Sequence, residues 1–276
     1  MRSFFCRCYV EGTRLFYHQL SMPYIPFFPN HKIHHLRGDI ISIMLVFSSD
    51  VINEALRSTT RPGYNPNLAN GPSHHGGEIG GSLEELILSL LNISSCDTFG
   101  DVGCGRGKLL IRTQLTYQSN LCFGIEIDSP RVHHMIFWWI DVYLKLFSLV
   151  PNLSRTRGAR RNPSWPQIIH DDFTSDQFWI RRGQALFSRR KLKLFFNNFG
   201  GHMLYDGIQN SLEERLNLYC QPGTLVVSLC EMFLGRDFRK VWRLVSLVNH
   251  VIVPGDVSWC DGGDGREIKV FVYVKS

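Results

Sequence analysis

The chain lacks several features that would settle its class early. No two cysteines form a CxxC pair, although eight are present, at positions 6, 8, 96, 104, 122, 220, 230 and 260. No Cys/His set has zinc spacing, so no metal site is expected. Several cysteines lie inside apolar runs, as small reduced core residues do, and this usage points to a reducing compartment, cytosol or nucleus. No apolar run approaches the ~20 residues of a membrane span. Ile40–Phe47 is interrupted by Ser42, and Val132–Val150 carries His133, His134, Asp141 and Lys145. Arg7, Glu11 and Arg14 break up any signal-peptide core. Internal repeats and a low-complexity tail are missing too.

Bulk composition is ordinary, but charge is uneven. The 276 residues are 44% hydrophobic and 20% charged, which argues against wholesale disorder, collagen-like repetition and a coiled coil. The length suits one large domain, or one domain with an appended smaller part. Net charge is +6, yet residues 151–193 hold ten basic residues against three acidic ones, +7 in 43 residues, and the remainder is −1. A local cluster of this kind fits a polyanionic partner, with a solvated face or loop as the plain alternative.

Residues 1–95 show no clean alternation, and residues 1–60 are expected to form a smaller, mainly helical N-terminal region. Arg61–Gly81 (RPGYNPNLANGPSHHGGEIGG) is too rich in Pro and Gly for regular structure. It leads to Ser82, a candidate N-cap with Glu85 three residues on and the apolar run Leu86–Leu91 behind it. Residues 61–95 thus read as a loop and a helix.

From residue 96 short apolar runs alternate with helical segments. The strand candidates are Thr98–Gly103, Leu121–Ile127, Gln167–Phe173, Leu192–Asn198, Thr224–Cys230, His250–Pro254 and Glu267–Lys275. The helix candidates are Gly107–Tyr117, Pro130–Leu149, Tyr205–Leu218 and Arg236–Leu247. This alternation predicts an α/β fold over residues 96–276. Its sheet is expected to have seven strands, mostly parallel, ending in an antiparallel hairpin.

The strongest local signal is Phe99-Gly-Asp-Val-Gly-Cys-Gly-Arg-Gly-Lys108, after the first strand and opening a helix. Gly103, Gly105 and Gly107 permit a tight turn and let a ligand approach the helix N-terminus. Asp101 precedes the loop and Glu126 ends the next strand, 25 residues later. A nicotinamide dehydrogenase carries the same glycine–acid logic, so these residues alone leave both nucleotide classes open. Capping acids on turns are the plain alternative for the two carboxylates.

The arrangement resembles the class I, Rossmann-like methyltransferases that use S-adenosylmethionine. The resemblance implies that Asp101 lies near the cofactor's amino group and Glu126 on its ribose hydroxyls. Gly103, Gly105, Gly107 and Lys108 would form the loop beneath the cofactor. Asp172, at the end of the third strand, would accept from the adenine amine, with Phe173 on the ring. An acidic turn is the plain alternative for Asp172.

Four segments taken in order are similar to the disruptor-of-telomeric-silencing family, the non-SET methyltransferases of a histone H3 core lysine. They are Gly77-Glu78, Asp101–Gly107 with Gly124-Ile-Glu126, Asp172-Phe173, and Asn197-Asn-Phe199. Gln221–Ser228 and Val257-Ser-Trp259 continue the likeness, which spans roughly residues 60–275. It implies catalytic roles for Asn197 and Phe199, with Asn197 and Glu78 also at the cofactor. Gly77, Asn198 and Trp259 would line the lysine channel. The chain departs from the family in having Gly76 where an aromatic is usual and Gly200-Gly-His202 in place of a second phenylalanine. Tyr273 lies too far along the last strand to serve as the family's channel tyrosine. The Asn/Asp-Pro-Pro-aromatic motif of base-amine methyltransferases is absent.

The expected reaction is attack of a neutral lysine amine on a sulfonium methyl, in the nucleus, on nucleosomes. Arg155, Arg157, Arg160 and Arg161 are the candidate contacts to nucleosomal DNA. A methyltransferase of RNA or a small molecule, and a non-catalytic cofactor-binding protein, remain as alternatives.

Overall fold

The computed structural model describes residues 49–58, 79–149, 165–198, 207–254, 256 and 265–276. All of them belong to one unit, Val46–Leu153 together with Ser164–Ser276. In chain order it contains α1 (Ser49–Ser58), α2 (Gly81–Leu91), β1 (Thr98–Val102), α3 (Lys108–Tyr117), β2 (Leu121–Glu126), α4 (Ser129–Leu149) and β3 (Gln167–His170). Then come α5 (Asp176–Phe178), a π-helical turn (Trp179–Gly183), α6 (Gln184–Phe187) and β4 (Leu192–Phe196). The chain continues through α7 (Ile208–Tyr219), β5 (Leu225–Ser228), α8 (Phe238–Val241), β6 (Trp242–Val251) and β7 (Glu267–Lys275).

The seven strands form one sheet in the order β3-β2-β1-β4-β5-β7-β6. β1 to β5 run parallel, and β7 pairs antiparallel with both β5 and β6. This is the expected Rossmann-like, mostly parallel sheet, with the antiparallel hairpin at its end.

Both faces are covered, and side-chain parity decides by what. Phe123 and Ile125 of β2 join Leu194, Phe196, Phe178, Trp179, Phe187, Leu212 and Leu216 in one core cluster, which places α5, α6 and α7 on that face. The alternate residues of β2, Cys122 and Gly124, face α3. The Cys122 thiol donates to the Leu110 carbonyl at 3.5 Å, and a methyl group on Gly124 would strike Leu110 and the Cys104 sulfur. α4 packs along β2 and β3, with α1 against α3 and α4 and α2 against β5.

Three expectations need correction. Arg236–Leu247 is not a helix: only Phe238–Val241 is, and the chain then enters the ten-residue strand β6. Leu244, Leu247 and Val248 suit a helical stripe, but the β-branched Val245, Val248 and Val251 and a ladder to β7, broken only by an irregularity at Val245, favour the strand. Helical structure between Asp176 and Phe187 was not foreseen. Finally, Ser82 does not cap α2. The N-cap is Gly80, and Ser82 sits in the first turn with its hydroxyl on Asp256.

Near the end of β7, Lys275 acts as a cap for another helix. Its buried ammonium donates to the carbonyls of Asn217 (2.5 Å) and Cys220 (2.7 Å), at the negative end of α7. The tight seat of α3 on β2 gives a direct test. Gly124→Ala should destabilise the fold by about 1–3 kcal/mol, read as a fall in melting temperature, because a methyl there overfills a closed contact. An unchanged melting temperature would show that α3 can shift.

Candidate functional site

β1 and β2 end at the same level, with Val102 paired to Ile125, and the glycine loop turns off that edge. The Gly103 and Cys104 N–H groups both donate to the Ile125 carbonyl, at 2.9 and 3.0 Å, and so bend the loop back over β2. Gly103, Gly105 and Gly107 all have positive φ, +76°, +56° and +69°. At Gly107 a side chain would also collide with Met135 and Trp139, whereas at Gly103 and Gly105 it would meet nothing within 4 Å. Among the described residues, nothing lies against the outer side of the loop at Gly103 and Gly105. Gly107 heads α3, and no side chain caps that helix, so its first N–H groups face the same edge.

Glu126 lies beneath the loop. Its carboxylate accepts from the Gly105 N–H at 2.8 Å and from the Asp128 N–H at 2.9 Å, with Arg131 at 3.8 Å. Burial nevertheless pushes its pKa up, against those two N–H groups and Arg131. Each of its oxygens retains a further lone pair. Asp101, on β1, is 4% exposed. Burial first, and the charge of Glu126 second, push its carboxyl up to about 8. Asp101 is thus protonated at neutral pH, an acid held ready for a cation that would favour its ionised form.

The other expected residues fall into separate groups. Lys108 turns away from the loop toward the buried Glu84, at 3.3 Å. Asp172 lies beyond the end of β3. One of its oxygens, Oδ1, accepts from the N–H and hydroxyl of Thr174, at 2.8 and 2.7 Å, which makes it the acidic turn considered above. Phe173 packs edge-on against Phe196, and its carbonyl takes the Trp179 indole N–H at 2.7 Å.

Asn197 and Asn198 follow the end of β4. Asn198 is not a channel residue: it is 1% exposed and its amide is used up internally. Its oxygen accepts from the N–H groups of Leu229 and Cys230 (3.0 and 2.8 Å), and its nitrogen donates to Gln209 at 2.9 Å. It ties the end of β4 to the end of β5. Tyr273 is also internal. Its hydroxyl accepts from the Met232 N–H at 3.0 Å, and burial pushes its pKa up to about 12. Gly77, Glu78, Phe199, Trp259, Arg155, Arg157, Arg160 and Arg161 lie outside the described residues.

Asp256 had no role in the sequence reading. It is fully buried and holds four donors: the Leu83 N–H (3.0 Å), the Val253 N–H (3.0 Å), the Ser82 hydroxyl (2.9 Å) and the His250 ring (2.7 Å). It caps α2 from 173 residues away. Burial opposes its charge, but the Val253 N–H, the His250 ring, the Leu83 N–H and Ser82 outweigh it and bring the carboxyl down to about 2. Asp256 stands just past the strand candidate His250–Pro254, and nothing local marks its distant partners.

No family model matches this chain, and no curated protein matches it, so the likeness to the disruptor-of-telomeric-silencing family rests on its residues alone. Among solved structures, TrmN from Thermus thermophilus is similar at 14% identity with a TM-score of 0.46, over 70% of this chain and 48% of that one. A precorrin-6y C5,15-methyltransferase from Geobacter metallireducens is similar at 12% and 0.44, over 71% and 88%. An RNA methyltransferase from Salinibacter ruber, in complex with S-adenosyl-L-homocysteine, is similar at 16% and 0.44, over 71% and 92%.

The two aspartates should show opposite pH signatures. The raised pKa of Asp101 favours the ligand-free fold below about pH 4, a benefit lost as pH rises toward about 8. The lowered pKa of Asp256 stabilises above about pH 4 and is lost as pH falls toward about 2. Melting temperatures from about pH 3 to 9 should therefore decline less on the alkaline side in Asp101→Asn. Asp256→Asn should lose roughly 2–3 kcal/mol at neutral pH and flatten the acid limb. Parallel curves for parent and variants would refute both assignments.

Proposed function

We propose that this chain is an S-adenosylmethionine-dependent methyltransferase whose acceptor is a lysine of the histone H3 core in the nucleosome. The observation that carries the cofactor reading is the meeting of Asp101, Glu126 and the open Gly103–Gly107 loop at one sheet edge. The acceptor reading is supported by the sequence likeness at Asn197–Phe199 and Val257–Trp259.

The residues present suit the cofactor. Glu126 keeps a free lone pair on each oxygen after accepting from Gly105 and Asp128, as a ribose diol requires. The clear space outside Gly103 and Gly105 admits a methionine chain. Asp101, protonated in the ligand-free protein, gains by ionising next to an ammonium group. The second oxygen of Asp172 can accept from an adenine amine. S-adenosylmethionine, when bound, supplies an electrophilic methyl group on a sulfonium.

The protein's own task is positioning. An amine and a methyl carbon must be aligned within about 3–3.5 Å, so holding that geometry supplies much of the rate. The loop after β4 reaches the same edge as the glycine loop because Phe196 pairs with Val102. Asn198 anchors that loop from inside, and the neighbouring Asn197 is the residue that orients the acceptor or the cofactor. No dedicated general base is invoked: a lysine amine entering an apolar channel loses its proton to solvent, since burial favours the neutral form.

The deciding experiment incubates the protein and radiolabelled S-adenosylmethionine with nucleosomes, free histone H3, RNA or buffer. Label in nucleosomal H3 is expected. Label in RNA would reassign the acceptor, and binding without transfer would leave a cofactor-binding protein. Asn197→Ala should cut transfer about 100-fold with the fold intact. Affinity for S-adenosylmethionine should rise about tenfold per pH unit and level off above about pH 8, with no such slope in Asp101→Asn. A flat profile in the parent would remove Asp101 from the site.

A further inference from the structure

The positive charge of the described residues gathers on one ridge. From Gln177 to Lys193 the chain carries Arg181, Arg182, Arg189, Arg190, Lys191 and Lys193 and no acid. This stretch forms the end of α5, the π-helical turn, α6 and the turn into β4. Phe178, Trp179, Gly183, Leu186 and Phe187 are buried, while Gln177, Ile180, Arg181, Gln184, Ala185, Arg189 and Arg190 are exposed. These spacings of three and four residues lay the exposed groups along one side.

The nearby acids are already taken. Asp176 pairs with Arg215, and Asp97 with Lys193 at 2.9 Å. The Lys191 ammonium donates to the Cys96 thiol at 3.2 Å. Arg181, Arg189 and Arg190 have no anionic partner among the described residues. The base beneath them is stiff: Trp179 stacks on Tyr219 (5.4 Å) and lies 4.8 Å from Phe187, with Gly183 pressed against it. Mutually repelling guanidinium groups on a rigid, donor-only surface suit an external polyanion.

We propose that this ridge is a docking surface for the sugar–phosphate backbone of duplex DNA. Arg181 to Arg189 spans about 12 Å at 1.5 Å per helical residue. A duplex presents a phosphate about every 3.4 Å along each strand, so the ridge meets a regular rail of several charges. Gln177, Gln184 and Ser188 add neutral donors of the kind that contact phosphates. The ridge has no exposed aromatic for unpaired bases to stack on, which disfavours a single strand.

The Arg189–Arg190 end of the surface is separate from the cofactor edge. Arg189 and Arg190 precede β4 and Asn197 follows it, so the strand itself, roughly 16 Å long, keeps the two apart. DNA held at the Arg189–Arg190 end therefore leaves the glycine loop open. The inference adds a DNA-binding element to the proposed nucleosomal acceptor but does not depend on methyl transfer.

The test uses the full chain with Arg181→Gln, Arg189→Gln and Arg190→Gln combined, and a fluorescent duplex of about 30 base pairs. Anisotropy titrations from about 50 to about 200 mM salt should show affinity at low salt reduced at least about tenfold. The slope of log affinity against log salt should fall by about 2–3. Unchanged calorimetric binding of S-adenosylhomocysteine would show the variant folded, whatever the outcome for the acceptor. DNA binding with the parent's affinity and slope would overturn the proposal. So would a loss confined to a variant at Arg155, Arg157, Arg160 and Arg161, or a ridge variant that loses single-stranded RNA but keeps duplex DNA.

Discussion

Strand β1 has no face in water. All five of its residues are buried, so both its edges need strands and both its faces need side chains. β2 and β4 satisfy the edges in parallel, and their registers bring Val102, Ile125 and Phe196 to one level. Parallel strands can be joined only by long crossovers. Every loop that leaves the top of this sheet therefore emerges at the same rim. Asp101, Glu126, Asp172 and Asn197 are far apart in the chain and near one another in space for this reason.

The polar groups of the interior divide by how completely they are matched. Asp256 and Asn198 hold several hydrogen bonds each and join distant parts of the chain. Their role is cohesion. Asp101 and Glu126 are also buried, but their environment works against their charge. Acids held in unfavourable surroundings beside an open loop are the usual mark of a ligand site. The same rim thus combines firmly fixed anchors with a poised pair of carboxylates.

Much of this was legible in the sequence where signal and structure have the same length. The glycine loop, α3, β2, α4 and β7 follow from glycine placement, long helical periodicity and unbroken apolar runs. β6 was misread because its leucines and valines satisfy a helical stripe as well as a strand, and only the partner β7 decides between them. α5 and α6 escaped notice because their buried Phe178, Trp179 and Phe187 are interrupted by Gly183 and basic residues. Asn198 was expected at a channel from its place in the Asn197-Asn-Phe199 likeness, which shows nothing of its hydrogen-bond partners. Those partners, Leu229 and Cys230, lie on another strand's loop. Asp256 was invisible because three of its four donors come from other elements.

The position of β7 has a bearing on synthesis. It is the last strand made, yet it lies between β5 and β6 in the sheet. Until it leaves the ribosome, β5 has a bare edge and β6 has nothing to pair with. Leu244, Leu247 and Val251 stay exposed even in the finished fold, at 44%, 49% and 54%. A nascent chain thus carries an apolar, unpaired strand until β7 emerges, and such segments are open to aggregation. The order of strands in the sheet thus sets an interval, between the synthesis of β6 and that of β7, in which this edge is unprotected by the fold itself.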